Sequence, residues 1–309
     1  MDPLFFTPIP HDTVWGGTAI KDYYGYEWPS DQVGQAWAFA DQPDGSTAVS
    51  DGPYQGATLG ELWKEHPEWF GDTDRPFPLI ISLLCPEQDL SIQVHPTDSV
   101  ARAKGFPYGK NEAWYFLEAQ PGSSIVFGHN AADEQDMSRH IENGQWDELL
   151  RRLCVRKDDF VYVPAGTLHA CGKNVIVYEV QQATNVTYRF YDYDRTDAQG
   201  NRRPLQLEEA LESVEYGPDL NTSRHTDAVE AKDGWERTCY IDCPSFKIEK
   251  LAVDEGSFTL CEDTYELVSV VRGSGQVNDR PVKVGDHFLV PKGCAATFTG
   301  QLTCMMTTA

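Results

Sequence analysis

Short runs rich in β-branched and aromatic residues, each closed by Gly, Pro or Asp, recur along this chain. They are PLIISLLC (78–85), LSIQVHP (90–96), EAWYFLEA (112–119), SSIVFG (123–128), DFVYVP (159–164), NVIVYEVQQ (174–182) and TYRFYDYD (187–194). Runs this short bury little alone and must stack into a sandwich or close into a barrel. Helical spacing is confined to 57–70, to 133–153 with a break near Asn143 and Gly144, and to 204–214, which opens on a proline. After a polar stretch near residue 225, strand patterns resume at CYIDCPSFKIEKLAV (239–253), and hairpins with tight Gly and Asn-Asp turns follow over 265–300. We therefore expect two units, 1–225 and 226–309. An internal echo links them: DDFVYVPAGTLHA (158–170) resembles GDHFLVPKGCAAT (285–297), with alanine in the second copy where the first has His169.

Within SIQVHP, Ser91, Gln93 and His95 alternate with Ile92 and Val94, so three polar side chains share one strand face. Glu112 follows in the next run, and His169 ends the first copy of the echo beside a turn. Two imidazoles, a carboxylate and an amide suit Zn²⁺ or another borderline divalent ion. The spacing is also compatible with a solvated Gln93, a turn-capping His169 and a surface Glu112, because scattered His and Glu are common in β proteins.

Composition narrows the partners. A formal charge of −23 over 309 residues argues against nucleic acid or an anionic membrane as partner, so cations for an anionic substrate must be local. The N-terminus MDPLFFTPIPHD lacks a basic start followed by an apolar run, and no segment approaches the roughly 18 apolar residues of a membrane span. A soluble cytoplasmic protein with reduced thiols is expected. Cys239 and Cys243 are not accompanied by the second close pair that would complete a zinc knuckle. Nothing in the sequence assigns an oligomeric state.

At these residues the chain resembles the type I mannose-6-phosphate isomerases, in their short bacterial form. The resemblance is carried by PLFFTPIPHDTVWGG (3–17), FPLIISLLCPEQDLSIQVHP (77–96), GKNEAWYF (109–116), GQWDELLRRL (144–153), DDFVYVPAGTLHA (158–170) and EVQQATNVTYRFYDYDR (179–195), in order over nearly the whole chain. It implies a mainly β fold: a metal-bearing cupin (jelly-roll) barrel with inserted helices, followed by a second, degenerate C-terminal cupin barrel. It implies a single zinc on Gln93, His95, Glu112 and His169. It places Glu179 as a proton-transfer candidate and Arg189 and Lys110 as catalytic cations, with Ser91, Arg195 and Trp15 against a phosphorylated hexose. The identity of the base stays open.

Three positions depart from that family's pattern: Ser82 stands where lysine is usual, Gln35 where glutamate is usual and Asn185 where aspartate is usual. A buried ion pair can be replaced jointly at little net cost, whereas losing one partner strands a charge. Gln35 and Ser82 are therefore expected to touch on one cleft wall. The implied activity is interconversion of mannose 6-phosphate and fructose 6-phosphate. A metal-dependent relative acting on another sugar or phosphosugar, a non-catalytic sugar-binding or sensing protein, and more distantly a metal-dependent cupin oxygenase are the alternatives.

Overall fold

Leu79–Leu84, LIISLL, is buried at every position, which a strand reaches when both faces of its sheet are covered. The computed structural model shows what covers them; it describes residues 1–71, 74–184, 186–196, 200–216 and 228–309. Leu79–Leu84 is an inner strand of an antiparallel six-stranded sheet ordered Phe160–Val163, Glu112–Ala119, Val175–Gln182, Leu79–Leu84, Val33–Phe39, Ile9–Gly17. A second sheet has five strands, ordered Leu150–Cys154, Ser124–His129, His169–Ala170, Ile92–Val94, Tyr188–Tyr191.

One apolar cluster joins Leu84, Trp114, Phe116 and Val177 of the first sheet to Ile125 and Phe127 of the second, so the two pack face to face. Each such buried side chain contributes about 1.5–3 kcal/mol. The outer face of the five-stranded sheet is covered by helices Glu134–Glu142 and Leu207–Ser213, through Met137 and Ala210 on Val126, Tyr188 and Phe190. The strand order leaves the sheets unjoined at their edges among the described residues, so the expected barrel takes the form of a sandwich. A cavity lies between the edge strands Ile9–Gly17 and Tyr188–Tyr191, lined by Thr13 and Trp15 from one and Arg189 from the other; a continuous hydrogen-bonded ladder there would close its mouth.

The third sheet, of nine strands, runs Ala228–Lys232, Trp235–Asp242, Lys247–Leu260, Ala296–Thr308, Glu266–Val277, His287–Val290, with Arg280–Lys283 beside Glu266–Val277. The N-terminus completes it: Leu4–Thr7 pairs with His287–Val290 in the register Leu4↔Leu289, and Ala48–Val49 follows at the edge. Between the six-stranded and nine-stranded sheets, Tyr178 and Thr307 share a buried hydroxyl contact of 3.0 Å.

The expected helix over 57–70 is two, Leu59–Glu65 and Pro67–Phe70, because Pro67 cannot continue the first and instead opens the second. The 133–153 segment breaks at Asn143–Gly144 as expected, Gly144 having φ 65°. Its end differs from the helical expectation: after Trp146–Leu149 the chain becomes the strand Leu150–Cys154, paired with Ser124–His129. Strand pairing there outweighs a weak local helical preference. The unit boundary expected near residue 225 lies outside the described residues. No helix among those described is long and apolar enough to cross a membrane, and no disulfide forms among the described cysteines.

Candidate active site

The alternation in SIQVHP does turn Gln93 and His95 toward the inside. Gln93 sits opposite His169 on one neighbouring strand and opposite Arg189 on the other. Glu112 enters from the facing sheet. The ligand atoms of His95, Glu112 and His169 lie within 4.8 Å of one another, and all three residues are buried.

Hydrogen bonding decides what these atoms can accept. The Nδ1–H of His95 donates to the Val186 carbonyl at 2.9 Å, and that of His169 donates to the Thr167 carbonyl at 2.8 Å. A carbonyl can only accept, so each neutral ring presents its Nε2 lone pair inward. Burial, followed by the Lys110 charge, pushes the His95 imidazole down to about 4; burial likewise lowers His169. Both rings are therefore neutral near pH 7. Burial pushes the Glu112 carboxyl up, but the charges of His95, when protonated, and Lys110 outweigh this and hold it below the ordinary carboxylate range.

Three acceptors thus converge, and apart from Lys110 at Glu112 Oε1 no donor among the described residues meets them. His95 Nε2 is 3.1 Å from Glu112 Oε1, His169 Nε2 is 3.5 Å from Glu112 Oε2, and neither Nε2 nor Glu112 Oε2 has a hydrogen-bond partner. Lone pairs at such separations repel unless a cation lies among them, and the donor set of two imidazoles and one carboxylate fits a divalent ion. The backbone carbonyls that orient the rings act as the supporting contacts metal-binding histidines use.

The cavity above this cluster is about 240 Å³, below the roughly 300 Å³ at which drug-sized pockets begin, so it suits a monosaccharide-sized ligand. Of the residues expected to contact substrate, Trp15, Ser91, Lys110, Glu179 and Arg189 line it. Arg195 is not among the lining residues: its guanidinium donates to Asp192 and to the Asp89 carbonyl. A larger hollow of about 770 Å³ between the N-terminus and Arg280 shares no residue with the ligand cluster.

Glu179 is buried, accepting from Trp114 Nε1 at 3.0 Å and from Gln181 Nε2 at 2.8 Å. Burial, then the Glu112 charge, pushes its carboxyl up to about 8. Lys110 Nζ is 3.2 Å from Glu112 Oε1, so its charge serves the ligand side of the cavity. Arg189 donates from Nε to Ser91 Oγ at 3.3 Å and from Nη1 to the Pro204 carbonyl at 2.8 Å.

Gln35 and Ser82 do touch, Gln35 Nε2 donating to Ser82 Oγ at 2.9 Å. Gln181 Nε2 lies 3.3 Å from the same hydroxyl, and Ser82 faces Glu179 across the strand pair. Ser82 is fully buried behind the wall that Gln35 and Gln181 line. Asn185 lies outside the described residues. Sequence reasoning missed Trp114, Gln181 and Arg203. The first two share alternating strand positions with Glu112 and Glu179, a signal that could have found them; Arg203 lies in aperiodic chain and carries no such signal.

Comparisons with known proteins agree with this geometry. Residues 4–122 match the family model for the catalytic domain of type I phosphomannose isomerase. The chain is 42% identical over 299 residues to the mannose-6-phosphate isomerase ManA of Bacillus subtilis, covering 94% of each. It is 36% identical to the mannose-6-phosphate isomerase of Streptococcus mutans, covering 94% of this chain and 92% of that one. A crystal structure of the Bacillus subtilis mannose 6-phosphate isomerase superposes with a TM-score of 0.94 at 36% identity over all of both chains. Phosphomannose isomerase from Salmonella typhimurium, 13% identical, shares the fold with a TM-score of 0.80. The fold is thus the expected cupin, and the chain belongs to the type I mannose-6-phosphate isomerase family.

Proposed function

We propose that this chain is a cytoplasmic, zinc-dependent aldose–ketose isomerase that interconverts mannose 6-phosphate and fructose 6-phosphate by proton transfer through an enediol or enediolate. One observation carries the reading. The donor-free acceptors of His95, Glu112 and His169 adjoin a monosaccharide-sized cavity that also holds Glu179, Lys110 and Arg189, in a chain whose relatives are named mannose-6-phosphate isomerases. Gln93, His95, Glu112 and His169 would hold a single ion. When bound, it supplies positive charge for the oxygens at the reacting carbons.

The remaining work falls to side chains. Aldose–ketose exchange removes a proton from the carbon beside the carbonyl and returns it to the neighbouring carbon. Glu179 fits that role: its carboxyl, at about 8, is close enough to neutrality to hold and release a proton. Trp114 and Gln181 fix its two oxygens, so the proton is exchanged from a set position. Lys110, beside Glu112, places a cation near the oxygens where charge develops, Arg189 places a second at the Ser91 end of the cavity, and Trp15 and Ser91 bound the space in which the sugar lies. Arg195 acts behind that wall.

The division into a catalytic unit over 1–225 and a smaller unit over 226–309 belongs to the same proposal, with Leu4–Thr7 lent to the nine-stranded sheet of the smaller unit. A second reading, another phosphosugar as substrate, is favoured by the neutral Gln35–Ser82 contact in the cavity wall. The test assays purified protein with both hexose 6-phosphates, before and after chelation and after zinc is restored. Turnover that disappears and returns supports the proposal; zinc bound without turnover on either sugar sinks it.

A further inference from the structure

In a chain of net charge −23, one end of the cavity is cationic. Arg189, Arg195 and Arg203 gather around the single carboxylate of Asp192, three positive charges against one. Asp192 is buried and is shared by two of them. Arg203 donates from Nε to Oδ2 at 2.8 Å and from Nη2 to Oδ1 at 2.6 Å, and Arg195 donates to Oδ1. The two guanidiniums face different ways: Arg195 spends Nη1 on the Asp89 carbonyl and stays off the cavity wall, whereas Arg203 lines the cavity beside Arg189, Ser91 and Thr187. Arg203 uses only one edge of its fork on Asp192, which, among the described residues, leaves Nη1 for a ligand. Arg189 binds a hydroxyl and a carbonyl, both neutral, so its charge is uncompensated by those contacts.

We infer that Arg203, with Arg189, forms the seat for the phosphate of the substrate, and that Asp192 and Arg195 are positioning residues that hold Arg203 in place. The inference rests on the phosphosugar reading and extends it to a residue which that reading leaves unassigned. The charge arithmetic suits the ligand: three guanidiniums less one carboxylate leave +2, and a phosphate monoester above its second pKa of about 6 carries close to −2. Geometry suits it as well. Ser91 accepts from Arg189 at this end, and Gln93 and His95 follow on the same strand face toward the ligand cluster. A bound sugar phosphate would thus span the cavity with its anion far from Glu112 and its reacting carbons near Glu179.

The test measures binding of inorganic phosphate by calorimetry to zinc-loaded and to chelated protein, together with KM and kcat for mannose 6-phosphate. Arg203→Met is expected to weaken phosphate binding about 10–100-fold in both metal states and to raise KM by a similar factor with a much smaller change in kcat. Arg203→Lys, which keeps the charge and loses the fork, is expected to fall between; it decides the matter if Arg203→Met fails to fold. Phosphate binding that survives in both variants, or that requires the metal, overturns the inference. A wild type that binds phosphate through Arg203 but turns over neither hexose 6-phosphate overturns the functional reading alone.

Discussion

The two copies of the internal echo use one turn to deliver different residues. Strand Phe160–Val163 runs through Pro164 and Gly166 to His169, and strand His287–Val290 runs through Pro291 and Gly293 to Ala296. Gly166 and Gly293 both adopt left-handed backbone, φ 86° and 70°, where other residues are strained. Beyond the turn the interiors diverge. His169 joins His95 and Glu112 beneath a polar cavity, while Ala296 packs with Val290, Phe298 and Phe288 in an apolar cluster. The comparison teaches that this scaffold sets where the residue arrives, and the identity of one side chain sets whether the interior is a site or a core.

His169→Ala makes the first copy like the second and is expected to have the largest effect. Metal affinity should fall by more than the roughly 10–100-fold typical of losing a supporting contact, and activity with it; metal content after dialysis and turnover check this. The converse, Ala296→His, should bring no metal. It forces a larger, polar ring into a packed apolar interior at a cost of about 3 kcal/mol or more, read as a lower midpoint in denaturant.

A second contrast lies in two buried glutamates. Burial, aided by a neighbouring carboxylate, pushes Glu179 and Glu266 each up to about 8. Glu179 faces a cavity, whereas Glu266 belongs to the C-terminal sheet and lines none of the cavities described. Glu179→Gln is expected to cut kcat by about 10²–10⁴ while the protein still binds sugar phosphate; unchanged kcat would remove Glu179 from the mechanism. Glu266→Gln should leave kcat intact and act on stability instead. A folded-state value raised above the unfolded one gives stability that is fully present below the ordinary carboxylate range and lost as pH rises through about 8. The advantage of the glutamine variant in melting temperature should therefore grow across that window and then level off.

The smallest effect is expected at the Gln35–Ser82 contact. Ser82→Ala leaves two amide groups without their shared hydroxyl, at about 1–3 kcal/mol. Adding Gln35→Leu should cost less than the sum of the single changes, because the two side chains satisfy each other. Additive losses in denaturant unfolding would show that they are uncoupled.

The sequence by itself determined most of the strands that carry the site and half of the site itself. Alternation places Ser91, Gln93 and His95 on one face, and burial on both sides is legible in LIISLL, because side-chain direction in a strand follows local covalent geometry. The residues themselves offered Glu112 and His169 as further ligand candidates, and the family resemblance added Glu179 and Arg189. Tertiary structure alone decided what depends on distant pairing. It joined Leu4–Thr7 to His287–Val290, turned Leu150–Cys154 from helix to strand, and moved Arg195 behind the wall while Arg203 came to line it. It also placed Ser82, which touches Gln35 as expected, beside Glu179. Such contacts are chosen by the free energy of packing whole sheets together, to which each residue's local preference contributes only a small share.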